Sequence, residues 1–376
     1  MADETLTNDA SMVQLLSPDG VLQTGGAAAE YLPYIEALSD DDLGQFHRDM
    51  VVTRRFDLEA TNLQRQGQLA LWPPSHGQEA AQVGSARATR RQDHIFPSYR
   101  EHSVAMIRGL DVFEIVKIMR GTTNGGWNPA DHGNFHLYTL VLGSQALHAT
   151  GYAMGVTLDG ATGSGDVDRD EAVIVYFGDG STSQGDVSEA FVFAASFQAP
   201  EVFFLQNNQW AISVPVSVQS RIPLFQRSIG FGVPGIQIDG NDVLASFAVT
   251  RKNLDDARSG GGPRLIEAFT YRIGAHTTSD DPTKYRESGV VADWVLKDPI
   301  TRFEKFLRGR GADDAFFAQI DSEADDFAAD LRHRTVDLPI PDSDKIFDNV
   351  YSEPHPVMAE QKQWLADYEA SFGGEA

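Results

Sequence analysis

The chain has 376 residues and a net charge of −24, from 54 acidic and 30 basic side chains. Such a surface repels nucleic-acid phosphates and argues against a DNA- or RNA-binding role. The absence of cysteine excludes disulfides, thiolate catalysis and Cys-ligated metals. Residues 1–40 mix acidic, small and a few apolar residues and read as an N-terminal arm. The opening MADETLTNDA has no basic stretch followed by an apolar one, which points to a cytoplasmic protein. From Ser39 the sequence reads as an N-capped helix, with acids in the first turn and apolar residues at Leu43, Phe46, Met50 and Val51. A second helix is expected near Gly77. The runs 172–177 (AVIVYF) and 202–205 (VFFL) are uninterruptedly apolar, as in strands buried on both faces of a parallel sheet. Between them Val187, Phe191, Ala194 and Ala195 recur at helical spacing, so the order is strand, helix, strand. A further strand is expected over 264–271, after the turn SGGGP. The alternation implies a doubly wound α/β fold with a mostly parallel sheet. From about Ile300 the chain is helical and highly charged. Pro339 and Pro341 break it before a last helix over 360–368. The domain reading is an arm (1–40), an α/β domain (41–335) and a C-terminal extension (336–376). No apolar run is long enough for a membrane span. The acidic excess reads as adaptation to a salty cytoplasm, where screening lengths shrink to a few ångströms.

The chemistry is concentrated where the first buried strand ends. Gly178-Asp179-Gly180-Ser181 stands there, and Asn207-Asn208 follows the second strand. A strand–helix–strand unit brings the C-terminal ends of both strands to one sheet edge, where open α/β sheets bind ligands. Asp179 and Asn208 can therefore converge although 29 positions apart. A carboxylate and an amide oxygen make a hard, oxygen-only set suited to Mg²⁺ holding a diphosphate. Gly178 and Gly180 would let the backbone turn sharply near the phosphates, and the next helix N-terminus would face the anion. The bland readings are an N-cap for Asp179, a turn residue for Asn208, a surface pair for Tyr99 and Arg100, and a structural role for His276.

Gly-Asp-Gly followed by Asn-Asn resembles the thiamine diphosphate-binding motif. The chain as a whole resembles the alpha subunit of the E1 component of pyruvate and branched-chain 2-oxo acid dehydrogenase complexes. The resemblance runs in order from about residue 40 to 310. It includes Ser98-Tyr99-Arg100-Glu101, Leu142-Gly143-Ser144-Gln145, Asn208 with Ala211-Ile212-Ser213, Asp239-Gly240-Asn241-Asp242, and the stretch from Tyr271 to Pro282 with Tyr285-Arg286. It implies a fold of the thiamine diphosphate-binding type. Asp179, Asn208 and the Trp210 carbonyl would ligate Mg²⁺. Tyr99 and Arg100 would bind the diphosphate, an Arg fork being matched to phosphate oxygens. Gly180 and Ser181 would cradle it, Leu142 and Ser144 would lie near the aminopyrimidine, and His276 would reach both the diphosphate and the site's mouth as the catalytic residue.

The resemblance further implies that the glutamate activating the cofactor comes from a separate beta subunit in an α₂β₂ heterotetramer. The acyl group would pass to a lipoyl-bearing E2 chain. The substrate would be a small 2-oxo acid, with pyruvate favoured over branched-chain acids and acetoin. Thr277 stands where some relatives carry a regulatory phosphoserine, but the neighbouring Asp280 and Asp281 would repel a phosphate. His76 is a weak candidate for the substrate pocket, and His94, His102, His132 and His136 receive no role. Two other classes compete. An NAD-dependent dehydrogenase would need G-x-G-x-x-G in the first strand–helix unit, which is lacking. A non-catalytic scaffold relative would have no reason to keep the ligand set.

Overall fold

The computed structural model describes residues 12–123 and 125–372. They fall into two compact units, divided between Val336 and Asp337. In the first unit, helix α1 (Asp40–Arg65) starts where the sequence places it. Ser39 Oγ accepts from Asp42 N at 3.1 Å while Asp42 Oδ2 accepts from Ser39 N at 3.0 Å, a reciprocal cap with three acids in the first turn. Helix α2 (Glu79–Ala88) follows.

The sheet has five strands, all parallel: β1 (His94–Phe96), β2 (Val173–Gly178), β3 (Glu201–Asn207), β4 (Gly235–Asp239) and β5 (Arg264–Phe269). Their spatial order is β1-β2-β3-β5-β4. Side chains alternate between two cores, as the pleat requires. Ile174, Tyr176, Val202, Phe204 and Ile266 join one cluster with residues of α1, α2 and α5 (Val243–Arg258). Val173, Val175, Phe177, Phe203 and Leu205 join the other, with α3 (Ser144–Leu158) and α4 (Gly185–Phe197). The doubly wound expectation is met.

Two sequence expectations change. The stretch read as an arm is partly core. Val13 bridges Ile238 beside β4, Leu15 and Leu16 are fully buried, and their N–H groups donate to Asp242 Oδ2 at 2.6 and 2.5 Å. The other oxygen of Asp242 caps α5 through Leu244 N and Ala245 N. One buried carboxylate thus fastens the N-terminal stretch to a helix start, a long-range pairing that local sequence does not encode. Gly178 also needs no special conformation, since its φ of −91° suits any residue. A 3-10 turn over Asp179–Ser183 stands between β2 and α4, which runs from Gly185 as the sequence spacing placed it.

Helices α6 (Pro299–Gly309) and α7 (Asp314–Val336) complete the first unit. Arg302 on α6 reaches the end of β4, donating to Asp239 Oδ2 at 2.6 Å and to the Leu16 carbonyl at 3.1 Å. The second unit has a 3-10 turn (Ser343–Phe347) and helix α8 (Pro356–Ala370), tied by Lys362 to Asp344 and by Ser343 to Glu369. Among the described residues no helix is long and apolar enough to cross a membrane.

Candidate cofactor-binding site

Registry across β2, β3 and β5 sets the site. Gly178 pairs with Gln206 and Asn207 with Phe269, so the chain leaves all three strands at one edge. A cleft of about 240 Å³ opens there. It is lined by Tyr99, Arg100, Leu142, Asp179, Gly180, Ser181, Asn208, Trp210 and His276, nine of the ten residues expected from sequence. Ser144 is the tenth. It lines an adjoining cavity of about 710 Å³ with His136 and His148, and its Oγ turns back onto the Val141 carbonyl at 2.8 Å. That local bond holds the hydroxyl at the start of α3 instead of offering it to the cleft.

Asp179 is 1% exposed, and its Oδ2 accepts from Gln219 Nε2 at 3.0 Å. Burial pushes its carboxyl up to about 6, against the lowering effect of that hydrogen bond. A buried carboxylate so poorly compensated fits a bound cation. Asn208 is held at both ends of its amide. Its Oδ1 accepts from Trp210 N at 3.2 Å and its Nδ2 donates to Gln78 Oε1 at 3.3 Å. Gly180 has no strained φ, but a Cβ there would come within 2.9 Å of Ala211 Cβ, so glycine permits close packing of the two loops.

The segment after Asn208 is a tight two-residue hairpin, Trp210–Ala211 against Val214–Pro215. Gln209 and Ile212 sit at φ +70° and +54°, uncommon for residues with a side chain. The turn is held from outside. Asn207 Oδ1 accepts from Gln209 N at 3.0 Å, and buried Arg272 donates to the carbonyls of Trp210 at 3.3 Å and Ile212 at 2.7 Å. The carbonyl expected as a metal ligand therefore already has a cationic neighbour.

Arg272 also donates to Tyr285 Oη at 2.8 Å, Tyr285 donates to Asp280 Oδ2 at 2.5 Å, and the same oxygen accepts from His276 N at 2.8 Å. This chain ties the hairpin to the His276 loop. Arg100, 6% exposed, donates to the carbonyls of Pro74 and His276 and lies 3.3 Å from His276 Nδ1. Among the described residues its Nε and one Nη1 hydrogen have no partner, donors suited to an anion. Burial, then the charges of Arg100 and Arg272, lower His276 to about 4. Its imidazole is neutral at working pH.

Sequence reasoning gave no role to several residues that complete the cleft. Glu101, fully buried and raised by burial, accepts from Gln206 Nε2 at 2.7 Å and from Ser98 Oγ at 2.9 Å, fixing the Tyr99-Arg100 segment to β3. Gln78, Gln184 and Gln206 also line the wall. Their only sequence signal is position beside residues already named. His76 is not among the lining residues, and buried His102 is spent on Tyr138 Oη and the Pro73 carbonyl.

Glu267, on β5 beneath the site, accepts from Asn207 Nδ2 at 2.6 Å and Phe225 N at 2.8 Å. Burial raises it to about 7. A carboxyl raised on folding stabilises fully below its unfolded pKa, and that contribution is lost as pH rises through the folded value. Wild-type stability is therefore expected to fall between about pH 4.5 and 7 through this group. Glu267→Gln should remove that slope, so urea unfolding at pH 5 and 8 should show a smaller deficit for the variant at pH 8. An equal deficit at both would contradict the assignment.

Comparison with known proteins decides the family. The model for the dehydrogenase E1 component matches residues 47–326. The chain belongs to the E1 dehydrogenase family. It is 43% identical over 359 residues to a Mycobacterium tuberculosis 3-methyl-2-oxobutanoate dehydrogenase subunit alpha, covering 95% of this chain and 94% of that protein. It is 39% identical over 302 residues to a Staphylococcus aureus pyruvate dehydrogenase E1 component subunit alpha, covering 80% and 77%. The chain is thus an E1 alpha subunit of the 2-oxo acid dehydrogenase type, an enzyme component of a family that uses thiamine diphosphate.

The cleft fits that cofactor's anionic half. Among the described residues no three His, Asp or Glu side chains group as a metal site. A cation here would rest on Asp179, the Asn208 amide oxygen and main-chain or phosphate oxygens, a set hard enough for Mg²⁺.

Proposed function

We propose that this chain supplies the diphosphate- and Mg²⁺-binding half of a thiamine diphosphate site, completed by a beta subunit in an α₂β₂ assembly in the cytoplasm. The observation that carries the reading is a buried, raised carboxylate, Asp179, sharing a cleft with Asn208 and Arg100 at the C-terminal edge of a parallel sheet. When bound, thiamine diphosphate supplies the carbanion-stabilising chemistry that 2-oxo acid decarboxylation needs. This chain's residues do the rest on their side. Asp179, Asn208 and the Trp210 carbonyl hold Mg²⁺. Arg100 and Tyr99 with the Gly180-Ser181 backbone would bind the diphosphate, and Leu142 would serve the aminopyrimidine side of the cleft. His276, neutral and fixed by Asp280, stands at the mouth to hydrogen-bond the reacting group.

A lipoyl-bearing E2 chain would be the acceptor of the acyl group. The relative named for 3-methyl-2-oxobutanoate matches more of this chain, at higher identity, than the relative named for pyruvate. This makes the branched-chain acid the first substrate to try, ahead of the pyruvate preferred in the sequence reading. The test is reduction of an artificial electron acceptor by the alpha and beta chains in molar KCl, with each acid, with and without thiamine diphosphate and Mg²⁺. Cofactor-dependent reduction is expected, and its absence with every 2-oxo acid would overturn the reading.

His276→Ala should lower turnover roughly 10²-fold, the usual scale for loss of a positioned proton-handling group. Because the ring is neutral above about pH 5, the deficit should be the same at pH 6 and pH 8. A deficit changing tenfold across that range would refute a neutral imidazole.

A further inference from the structure

Gln78 is 1% exposed, lines the cleft and is committed at only one end of its amide. Its Oε1 accepts from Asn208 Nδ2 at 3.3 Å, while its buried Nε2 has no hydrogen-bond partner among the described residues. An orphaned buried donor costs about 1–3 kcal/mol unless something else satisfies it.

The segment carrying Gln78 has no slack. Gly77 sits at φ +97°, and a Cβ there would lie 2.3 Å from the Tyr271 carbonyl. Its own carbonyl accepts from Thr270 Oγ1 at 2.7 Å, and its N–H donates to Glu79 Oε2 at 2.9 Å. Two residues earlier in the turn, Ser75 N and Oγ both donate to the buried Asp57 carboxylate. The loop before α2 is thereby clamped onto the exit of β5, directly under the Asn208 turn. Trp210 N on one side and Gln78 Oε1 on the other then allow one orientation of the Asn208 amide.

Resting on the function proposed above, we infer that Gln78 is a two-ended positioning residue. Its oxygen sorts the Asn208 amide so that Oδ1 is the atom offered to the cation. Its unspent N–H₂ is the donor for an anionic oxygen in the cleft. Outer partners of metal ligands typically govern affinity by ~10–100-fold.

The experiment titrates Mn²⁺ and thiamine diphosphate calorimetrically into the assembled alpha and beta chains. Gln78→Met keeps the volume and removes both functions, so the Mn²⁺ dissociation constant should rise ~10–100-fold. Gln78→Glu keeps the acceptor and loses the donor. It should bind Mn²⁺ at least as tightly as wild type but thiamine diphosphate more weakly. A residue that merely fills space would tolerate Met as well as Glu, since both keep the volume. Gln78→Asn, one methylene short of Asn208, carries the same expectation as Met should that variant fail to fold. Wild-type Mn²⁺ affinity in the folded Met or Asn variant overturns the inference while leaving the site intact. Failure of the wild-type assembly to bind either ligand overturns the site reading and this inference together.

Discussion

Asp179→Asn is expected to cut 2-oxo acid turnover by at least ~10³-fold, the scale of losing several kcal/mol of metal-borne charge stabilisation. The same change should leave the cofactor-free chain as stable as its parent or more so. The carboxylate is buried with one side-chain donor, and burial holds it at about 6 against an ordinary 3.8. Its folded pKa is raised, so its stabilising contribution is present below about pH 4 and lost as pH climbs through about 6. At pH 8 the free chain carries an ionised, poorly compensated group. The amide has no such penalty, and a gain of ~1–3 kcal/mol is expected there, shrinking toward pH 4. Thermal denaturation at pH 5 and 8 without cofactor reads one half of the prediction and turnover reads the other. A variant that loses turnover and also unfolds more easily at pH 8 would mark Asp179 as structural.

The second large effect lies away from the cleft. Asp93 is fully buried and accepts from Arg258 Nε at 2.9 Å and also from Arg258 Nη2, from Ala172 N at 3.1 Å and from Arg90 N at 2.6 Å. Arg258 is itself 2% exposed at the end of α5. One carboxylate therefore joins the approach to β1, the start of β2 and the end of α5. Asp93→Ala strands a buried guanidinium and two backbone donors, at a cost of ~3–5 kcal/mol. Buried pairs are little screened, so the deficit should persist in molar KCl, unlike that of a surface pair. Pairing Asp93→Leu with Arg258→Met should recover much of the loss. Urea unfolding gives the number, and a deficit below 1 kcal/mol would show that Arg258 finds enough compensation from Asp255, its partner at 2.6 Å.

Local pattern made much of the fold legible. Continuous apolar runs announced β2 and β3 because both faces of those strands are covered, and the Ser39 cap announced α1. β1 escaped because it has only three residues, one of them His94, between Asp93 and Pro97, and β4 because Gln237 and Asp239 interrupt its apolar pattern. The anchoring of Leu15 and Leu16 by Asp242 escaped because its partners lie more than 220 positions apart. In the site, Asp179 and Asn208 could be read from strand ends alone, since parallel pairing forces those ends together. Gln78, Glu101 and Gln206 could not. Gln78 bonds Asn208 and Gln206 bonds Glu101 across the fold, between residues far apart in sequence, and nothing in the local pattern signals such pairings.

The central claim is a cofactor site that this chain half-builds. Its most direct test is the stoichiometry of thiamine diphosphate and divalent cation on alpha alone, beta alone and the reconstituted pair, by equilibrium dialysis in molar KCl. One cofactor and one cation per alpha chain, tightly held only in the pair, is the predicted result. Equal binding by the beta chain alone, or none by the pair, would contradict it.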